Sequence, residues 1–112
     1  MVVTIRHLSR EAYRDMSCIY DEDERLTFAK DVLKNNNYIR VAEFQADEQE
    51  DILNIAYELT NSIDAPWVES SWLQVANHAK DGCRNTSIGD LIQINGRNFM
   101  VAGNGFTEIK KG

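Results

Sequence analysis

Few residues in this sequence have the types and spacing that catalysis or metal binding requires. The soft metal ligands are His7, Cys18, His78 and Cys83, and they contain no close pair such as Cys-x2-Cys or His-x3-His. The spacing also pairs neither thiol with a histidine base. Because the sequence has no secretion signal, both cysteines are interpreted as reduced, half-buried side chains. The sequence therefore predicts no metal site, no cofactor and no catalytic residue, and we do not expect an enzyme.

A small enzyme is nevertheless kept as an alternative hypothesis. Its best candidate residues are His78, Arg84 and Asp90, in or beside a segment at 66–87 that has no clear periodicity. General acid–base catalysis would require these groups to meet in a cleft. The Gly103-Asn-Gly105 sequence is interpreted as a turn, because a phosphate-binding loop needs a helix after it and residues 106–109 resemble a strand.

Acidic residues are distributed very unevenly along the chain. The 112 residues carry a formal net charge of −6. Residues 21–64 contain twelve acids against four bases, whereas residues 1–20 and 65–112 each carry a net charge of +1. This distribution argues against a nucleic-acid-binding protein, which needs a basic surface. It favours a protein that binds a basic partner.

Helix capping explains part of the acidic excess. Asp21 and Asp47 are predicted N-cap residues, each followed three positions later by a glutamate, Glu24 and Glu50. A cap needs only one or two acids, so the remainder needs another explanation. Solubility is one, and a surface that imitates the charge of a phosphate backbone is another. The predicted partner-binding residues are these acids and two tryptophans: Asp21, Glu22, Asp23, Glu24, Asp47, Glu48, Glu50, Asp51, Trp67 and Trp72.

Hydrophobic spacing predicts the elements that position these residues. Alternating apolar residues predict strands at 1–8 and 38–46. Apolar residues at helical spacing predict helices at 10–18, 21–34 and 48–60. The Asn95-Gly96 sequence predicts a two-residue type I′ hairpin, which would pair Ile94 with Arg97 and Ile92 with Phe99. Both tryptophans are interpreted as anchors that hold the loop at 66–87 on the core.

The predicted fold is an α+β domain. A mostly antiparallel sheet of four to five strands, with a C-terminal β-meander, would pack against two helices on one face. Residues 1–112 are expected to form a single domain, with a strand and helix extension at 1–37 and a strand-helix-loop-hairpin module at 38–109. The sequence shows neither the apolar run of a membrane span nor the pattern of a signal peptide, so we expect a cytoplasmic protein.

Two stretches carry a resemblance to a known group of proteins. Residues Tyr57–Trp67 contain a Thr-x-x-Ile-Asp-x-Pro-Trp turn, and Arg84–Asp90 contain a Thr-Ser-Ile-Gly-Asp sequence that leads into a hairpin reaching Gly105-Phe106. Over roughly residues 38–109 the chain resembles small proteins of bacteriophages and mobile elements, and the hairpin part resembles the YodL-like domain of conjugative-element proteins. The resemblance implies the module's fold and a mobile-element origin, and it implies no reaction.

Charge, size and resemblance together lead to one functional hypothesis. The chain would be a phage or mobile-element accessory protein that binds a host nucleic-acid-handling protein with a basic surface, of the anti-CRISPR or anti-restriction type, and inhibits or redirects it. Direct binding to nucleic acid or membrane is not expected. The alternative is a structural or assembly protein that forms homo-oligomers through the hairpin edge or the Trp67–Trp72 loop. A homodimer is compatible with either hypothesis.

Overall fold

A computed structural model describes residues 1–47, 51–61 and 66–110. These residues form one antiparallel sheet with strand order β3-β2-β1-β4-β5-β6. The strands are β1 (Val2–Leu8), β2 (Tyr38–Gln45), β3 (Gln74–Val75), β4 (Leu91–Ile94), β5 (Arg97–Ala102) and β6 (Gly105–Ile109). The helices are α1 (Arg10–Met16), α2 (Glu22–Lys34) and α3 (Ile52–Leu59), and short 3-10 turns lie at Trp67–Glu69 and Asn77–Ala79.

The α+β class and the antiparallel sheet with its C-terminal meander are confirmed. The described part of the chain contains six strands where four to five were predicted. The additional strand is β3, which pairs Val75 with Ala42 and Gln74 with Glu43. A strand of two residues is too short to show the alternation by which strands are recognised in a sequence.

The helices lie on both faces of the sheet, whereas the prediction placed them on one. Successive residues of a strand point to opposite faces, so Leu91 and Ile92 of β4 belong to two different cores. Helix α3 covers the Ile92 core, and α1 and α2 cover the Leu91 core. The first core includes Val3, Ile5, Val41, Ile52, Ala56, Ile92 and Val101; the second includes Leu8, Met16, Ala29, Val32, Tyr38, Leu91, Met100 and Ile109.

The hairpin between β4 and β5 has the predicted turn and register. Asn95 and Gly96 have φ angles of 50° and 78°, as a type I′ turn requires. Ile92 pairs with Phe99, and Ile94 pairs with Arg97. Local turn chemistry therefore determines the position of every residue on these two strands.

Strand β2 departs from simple alternation at a β-bulge. Its register against β1 pairs Ile5 with Ala42 and Arg6 with Arg40, which leaves Val41 without a partner. An extra residue in one strand reverses the side on which all later residues point. Val41, Ala42 and Phe44 consequently pack against the same core, although alternation alone separates Val41 from the other two.

The two acidic helix starts behave differently. Asp21 caps α2 as predicted, since its carboxylate accepts a hydrogen bond from the Glu24 backbone N at 3.0 Å. Helix α3 begins at Ile52 with Asp51 as its N-cap residue, and the Asp51 side chain makes no capping hydrogen bond. The predicted N-cap Asp47 lies four residues earlier, and the run that links it to Asp51 lies outside the described residues. Several neighbouring acids are all suited to capping, so the pattern alone does not select one.

Candidate functional site

The predicted partner-binding acids are exposed wherever the structure describes them. Asp21, Glu22, Asp23 and Glu24 lie at the start of α2, and Asp47 and Asp51 precede α3. Glu48 and Glu50 lie outside the described residues. Within the described ranges, only Glu22 of this set forms an ion pair, with Arg25 at 2.8 Å. The other described carboxylates of the set, those of Asp21, Asp23, Glu24, Asp47 and Asp51, are therefore solvated charges.

The structure places the two acidic groups near opposite ends of β5. Glu22 Oε1 accepts a hydrogen bond from the Gly103 backbone N at 3.4 Å, in the turn that follows β5. Asp51 borders a groove of about 640 Å³ together with Asn95 and Arg97, where β5 begins. At the usual rise per residue, a strand of this length spans roughly 17 Å. The acids therefore form an extended band that passes from the α2 face of the sheet to the α3 face, rather than one compact patch.

The exposed side of α3 lies between the two acidic groups. Tyr57 and Asn54 border a hollow of about 290 Å³ with Ile88 and Gly103. Tyr57 is 36% exposed, Ile88 is 37% exposed, and Glu58 is also exposed. We define the acidic margin as this band, which consists of the following described residues: Asp21, Glu22, Asp23, Glu24, Asp47, Asp51, Asn54, Tyr57, Glu58 and Ile88.

The two tryptophans that were predicted to bind a partner have different environments. Trp67 is 3% exposed, and its indole Nε1 donates a hydrogen bond to the Arg84 carbonyl at 2.9 Å. It anchors the loop as expected, because a buried indole N–H needs an internal acceptor. Its buried ring is not accessible to a partner in this structure. Trp72 is 78% exposed, so it is not an anchor and its ring is accessible.

A cluster of buried polar side chains lies behind Trp67 and centres on Asp90, which is 0% exposed. Its carboxylate accepts hydrogen bonds from Arg84 Nη1 at 2.5 Å and Nη2 at 2.7 Å. It also accepts from the backbone N of Leu8 at 2.9 Å and of Ser87 at 2.7 Å. Burial opposes the charge of Arg84, but the hydrogen bonds to Asp90 raise the pKa of Arg84 above its ordinary value. These partners compensate the desolvation of the ion pair.

A chain of hydroxyl groups fixes the tautomer of His7. The Thr60 hydroxyl donates to the Ala56 carbonyl at 2.9 Å, and the Thr86 hydroxyl donates to Thr60 Oγ1 at 2.6 Å. Each hydroxyl has one proton, so Thr86 Oγ1 accepts the proton of His7 Nε2, which lies 2.9 Å away. His7 Nδ1 is then an acceptor, and it faces the Cys83 Sγ at 3.5 Å.

His7 and Cys83 thus make the contact that a nucleophile and its base need. Burial lowers the pKa of His7 to about 4; the nearby Asp90 carboxylate opposes this effect and the Arg84 charge adds to it. Burial likewise raises the pKa of the Cys83 thiol. Both groups are neutral at pH 7, whereas reactive cysteines are held as thiolates. In this resting state the pair is a neutral S–H···N hydrogen bond.

The alternative enzyme hypothesis named Arg84, Asp90 and His78, and the structure brings only the first two together. His78 Nε2 instead lies 2.8 Å from the Arg40 carbonyl oxygen, and His7 occupies the position beside the ion pair. His7 and Cys83 are separated by 76 residues, so no spacing motif connects them. The sequence signal that could have indicated a buried His7 was its place in the alternation of β1, on the same face as Val3 and Ile5.

The fold and this site together define a class: a small α+β protein with an ordered polar interior and an exposed acidic margin. The chain matches no protein-family profile, no curated protein and no solved structure. The resemblance to YodL-like proteins therefore stays a prediction. In the described ranges, no helix has the length and apolarity to cross a membrane, and no group of three or more His, Cys, Asp or Glu residues could hold a metal ion.

Proposed function

We propose that the protein is a small accessory protein that docks its acidic margin on a basic surface of a nucleic-acid-handling protein. One observation carries this proposal: Asp23, Glu24 and Asp51 are exposed and form no ion pair with any described residue. Asp90 and Glu108, by contrast, are both paired with arginines. Unneutralised acids repel one another, and they favour the approach of a cationic surface.

The layout of the margin supports docking on an elongated basic surface. Its acidic groups lie at the two ends of β5, with the partly exposed Tyr57 and Ile88 between them. Protein interfaces commonly combine an apolar centre with a polar rim, and tyrosine is frequent among the residues that dominate binding energy. Acids that are spread along a surface match a groove that normally binds many phosphates. They match a single cation less well.

The resemblance to phage and mobile-element proteins supports a more specific version of this proposal. The partner would be a host protein such as a CRISPR effector or a restriction enzyme, and the complex would form in the bacterial cytoplasm. By occupying a groove that normally holds nucleic acid, the acidic margin would inhibit or redirect the partner.

Affinity capture from bacterial lysate with two charge-matched variants tests the proposal. The margin variant carries Asp23→Lys, Glu24→Lys and Asp51→Lys, and the control carries Glu11→Lys, Glu69→Lys and Asp81→Lys. All six residues are exposed, and both variants change the net charge equally. We expect wild type and control to retain a nucleic-acid-handling protein at low salt, the margin variant to lose it, and added duplex DNA or high salt to release it.

Two outcomes would contradict acidic docking, provided that circular dichroism shows both variants to be folded. Equal loss of the captured partner in both variants would show that binding depends only on the net charge of the protein. Retention by the margin variant, or a partner that resists high salt and duplex DNA, would place the interface elsewhere, with the exposed Trp72 as the next region to test.

Homo-oligomerisation is a second candidate function, and the sheet edge favours it. Strand β6 is one of the two edge strands and pairs only with β5 among the described residues, so its other side can accept a strand from a second copy. Light scattering over a wide range of protein concentrations would test this function. A molar mass that stays at the 12.8 kDa of one chain would rule it out.

A further inference from the structure

A groove of about 580 Å³ lies between the C-terminal half of α2 and the face of the sheet that carries Gln93 and Asn98. This face is opposite to the one that α3 covers. The volume falls in the range typical of small-molecule sites. The groove is separate from the acidic margin, and its charge has the opposite sign.

Three lysines converge on this groove. Lys30 and Lys34 lie one helical turn apart on α2, and Lys110 follows β6. Like charges at this helical spacing repel each other. Lys34 compensates the negative C-terminal end of the helix dipole, but Lys30 and Lys110 have no such role. Asp31 offsets one of the three charges, so a net positive groove persists in a chain whose formal net charge is −6.

A relay of side-chain hydrogen bonds orients an amide at the same groove. Arg6 Nε donates to Gln93 Oε1 at 2.7 Å, which fixes the orientation of the Gln93 amide. Gln93 Nε2 therefore donates to Asn98 Oδ1 at 2.6 Å, and the Asn98 Nδ2 group remains as a donor. Asn98 is only 5% exposed and lines the groove.

The Asn98 amide nitrogen is the unsatisfied group of this relay. It forms no hydrogen bond with any described residue. Among the described residues, every fully buried side-chain nitrogen has a hydrogen-bond partner. The Nδ2 group is therefore not fully enclosed, and because Asn98 lines the groove we place this amide at the groove wall. A largely buried side chain that keeps two N–H donors there is suited to bind a ligand with acceptor atoms.

We propose that this groove binds a small organic phosphate. Three ammonium groups and the Asn98 amide are all donors, which select an anion, and lysine binds phosphate as a point charge. Leu33 and Ile109 also line the groove and give the organic part of the ligand an apolar surface. The expected ligand class is a phosphomonoester with a compact or planar organic group.

An NMR titration of the ¹⁵N-labelled full chain tests this inference with three probes: adenosine monophosphate, inorganic phosphate and adenosine. We expect adenosine monophosphate to shift the Asn98 side-chain NH₂ signals saturably and phosphate to shift them with weaker affinity. Adenosine, which lacks the anion, should leave them in place. A purely structural Asn98 would not respond to any probe.

Lysine variants locate the binding site. Lys34→Ala and Lys110→Ala should each weaken adenosine monophosphate binding by about 5- to 10-fold, the loss of roughly one nearby charge interaction. Lys80→Ala removes an exposed lysine that does not line the groove, and it should leave the affinity unchanged.

Three results would overturn the inference. The first is an Asn98 NH₂ signal that does not shift with adenosine monophosphate at roughly 10 mM, beyond the millimolar range of weak specific binding. The second is an equal shift with adenosine, which would exclude recognition of the anion. The third is an equal loss of affinity in Lys80→Ala and Lys34→Ala, which would reduce the effect to overall charge.

Discussion

The buried cluster around Asp90 and the acidic margin hold the same type of side chain in opposite ways. The Asp90 carboxylate is 0% exposed and accepts four hydrogen bonds. Asp23 and Glu24 are exposed and form no ion pair with the described residues. A buried charge is tolerated only with its partners, whereas a solvated charge contributes little to stability. The first kind of acid therefore specifies the fold, and the second kind is free to specify a partner.

The largest expected effect is the loss of the Asp90 carboxylate. Asp90→Ala leaves the Arg84 guanidinium and the backbone N–H groups of Leu8 and Ser87 without their acceptor. We expect a loss of about 3–5 kcal/mol in the free energy of unfolding, measured by urea denaturation. Asp23→Ala is the matched variant in the acidic margin and should change this free energy by less than about 0.5 kcal/mol. Similar values for the two variants would refute the distinction between the regions.

The next effect is a pH dependence that only the buried cluster should show. The pKa of His7 is lowered from 6.5 to about 4 in the folded protein, so between these values the unfolded chain binds a proton that the folded protein does not. Stability from His7 is therefore complete above pH 6.5 and is lost as the pH falls. By pH 4 this loss amounts to about 3 kcal/mol.

The variant His7→Gln isolates this contribution. A glutamine amide can donate to Thr86 in place of His7 Nε2, but it does not titrate in this range. Free energies of unfolding measured from pH 7 to pH 4 should fall more steeply for the wild type than for the variant. Carboxylates elsewhere affect both proteins equally, so parallel curves would show that burial does not hold His7 neutral.

The features that the sequence predicted correctly depend on neighbours in the chain. The Asn95-Gly96 turn needs positive φ at two adjacent residues, and the cap of α2 joins Asp21 to a residue three positions away. Each signal is contained in a few consecutive residues. The sign and uneven distribution of the charge were also readable, because they require only counting.

The buried cluster could not be predicted, because it depends on contacts between distant residues. The Leu8 N–H and the Asp90 carboxylate are 82 positions apart in the chain, and the β-bulge at Val41 changes which residues share a face. Asp90 and Asp23 are the same residue type, so composition does not distinguish the buried acid from the exposed one. The sheet register, which brings β1 beside β4, makes that distinction.

The smallest effect compares two acids within the acidic margin itself. Asp21 and Asp51 are both N-cap residues, but only Asp21 accepts a capping hydrogen bond, from the Glu24 backbone N at 3.0 Å. Replacing a cap that makes this bond costs about 1 kcal/mol, so Asp21→Ala should lower the free energy of unfolding by that amount. Asp51→Ala removes no such bond and should cost less than about 0.5 kcal/mol.

This pair shows where the boundary between the two kinds of acid lies. If urea denaturation gives the expected order, Asp21 contributes to both the fold and the acidic margin, whereas Asp51, like Asp23, can be changed without a structural effect. Binding experiments should then alter Asp23, Glu24 and Asp51 and leave Asp21 intact, because a loss of binding in Asp21→Ala would combine a weakened α2 with a missing charge. Equal costs for Asp21→Ala and Asp51→Ala would mean that charge at the helix start, rather than the hydrogen bond, stabilises both helices.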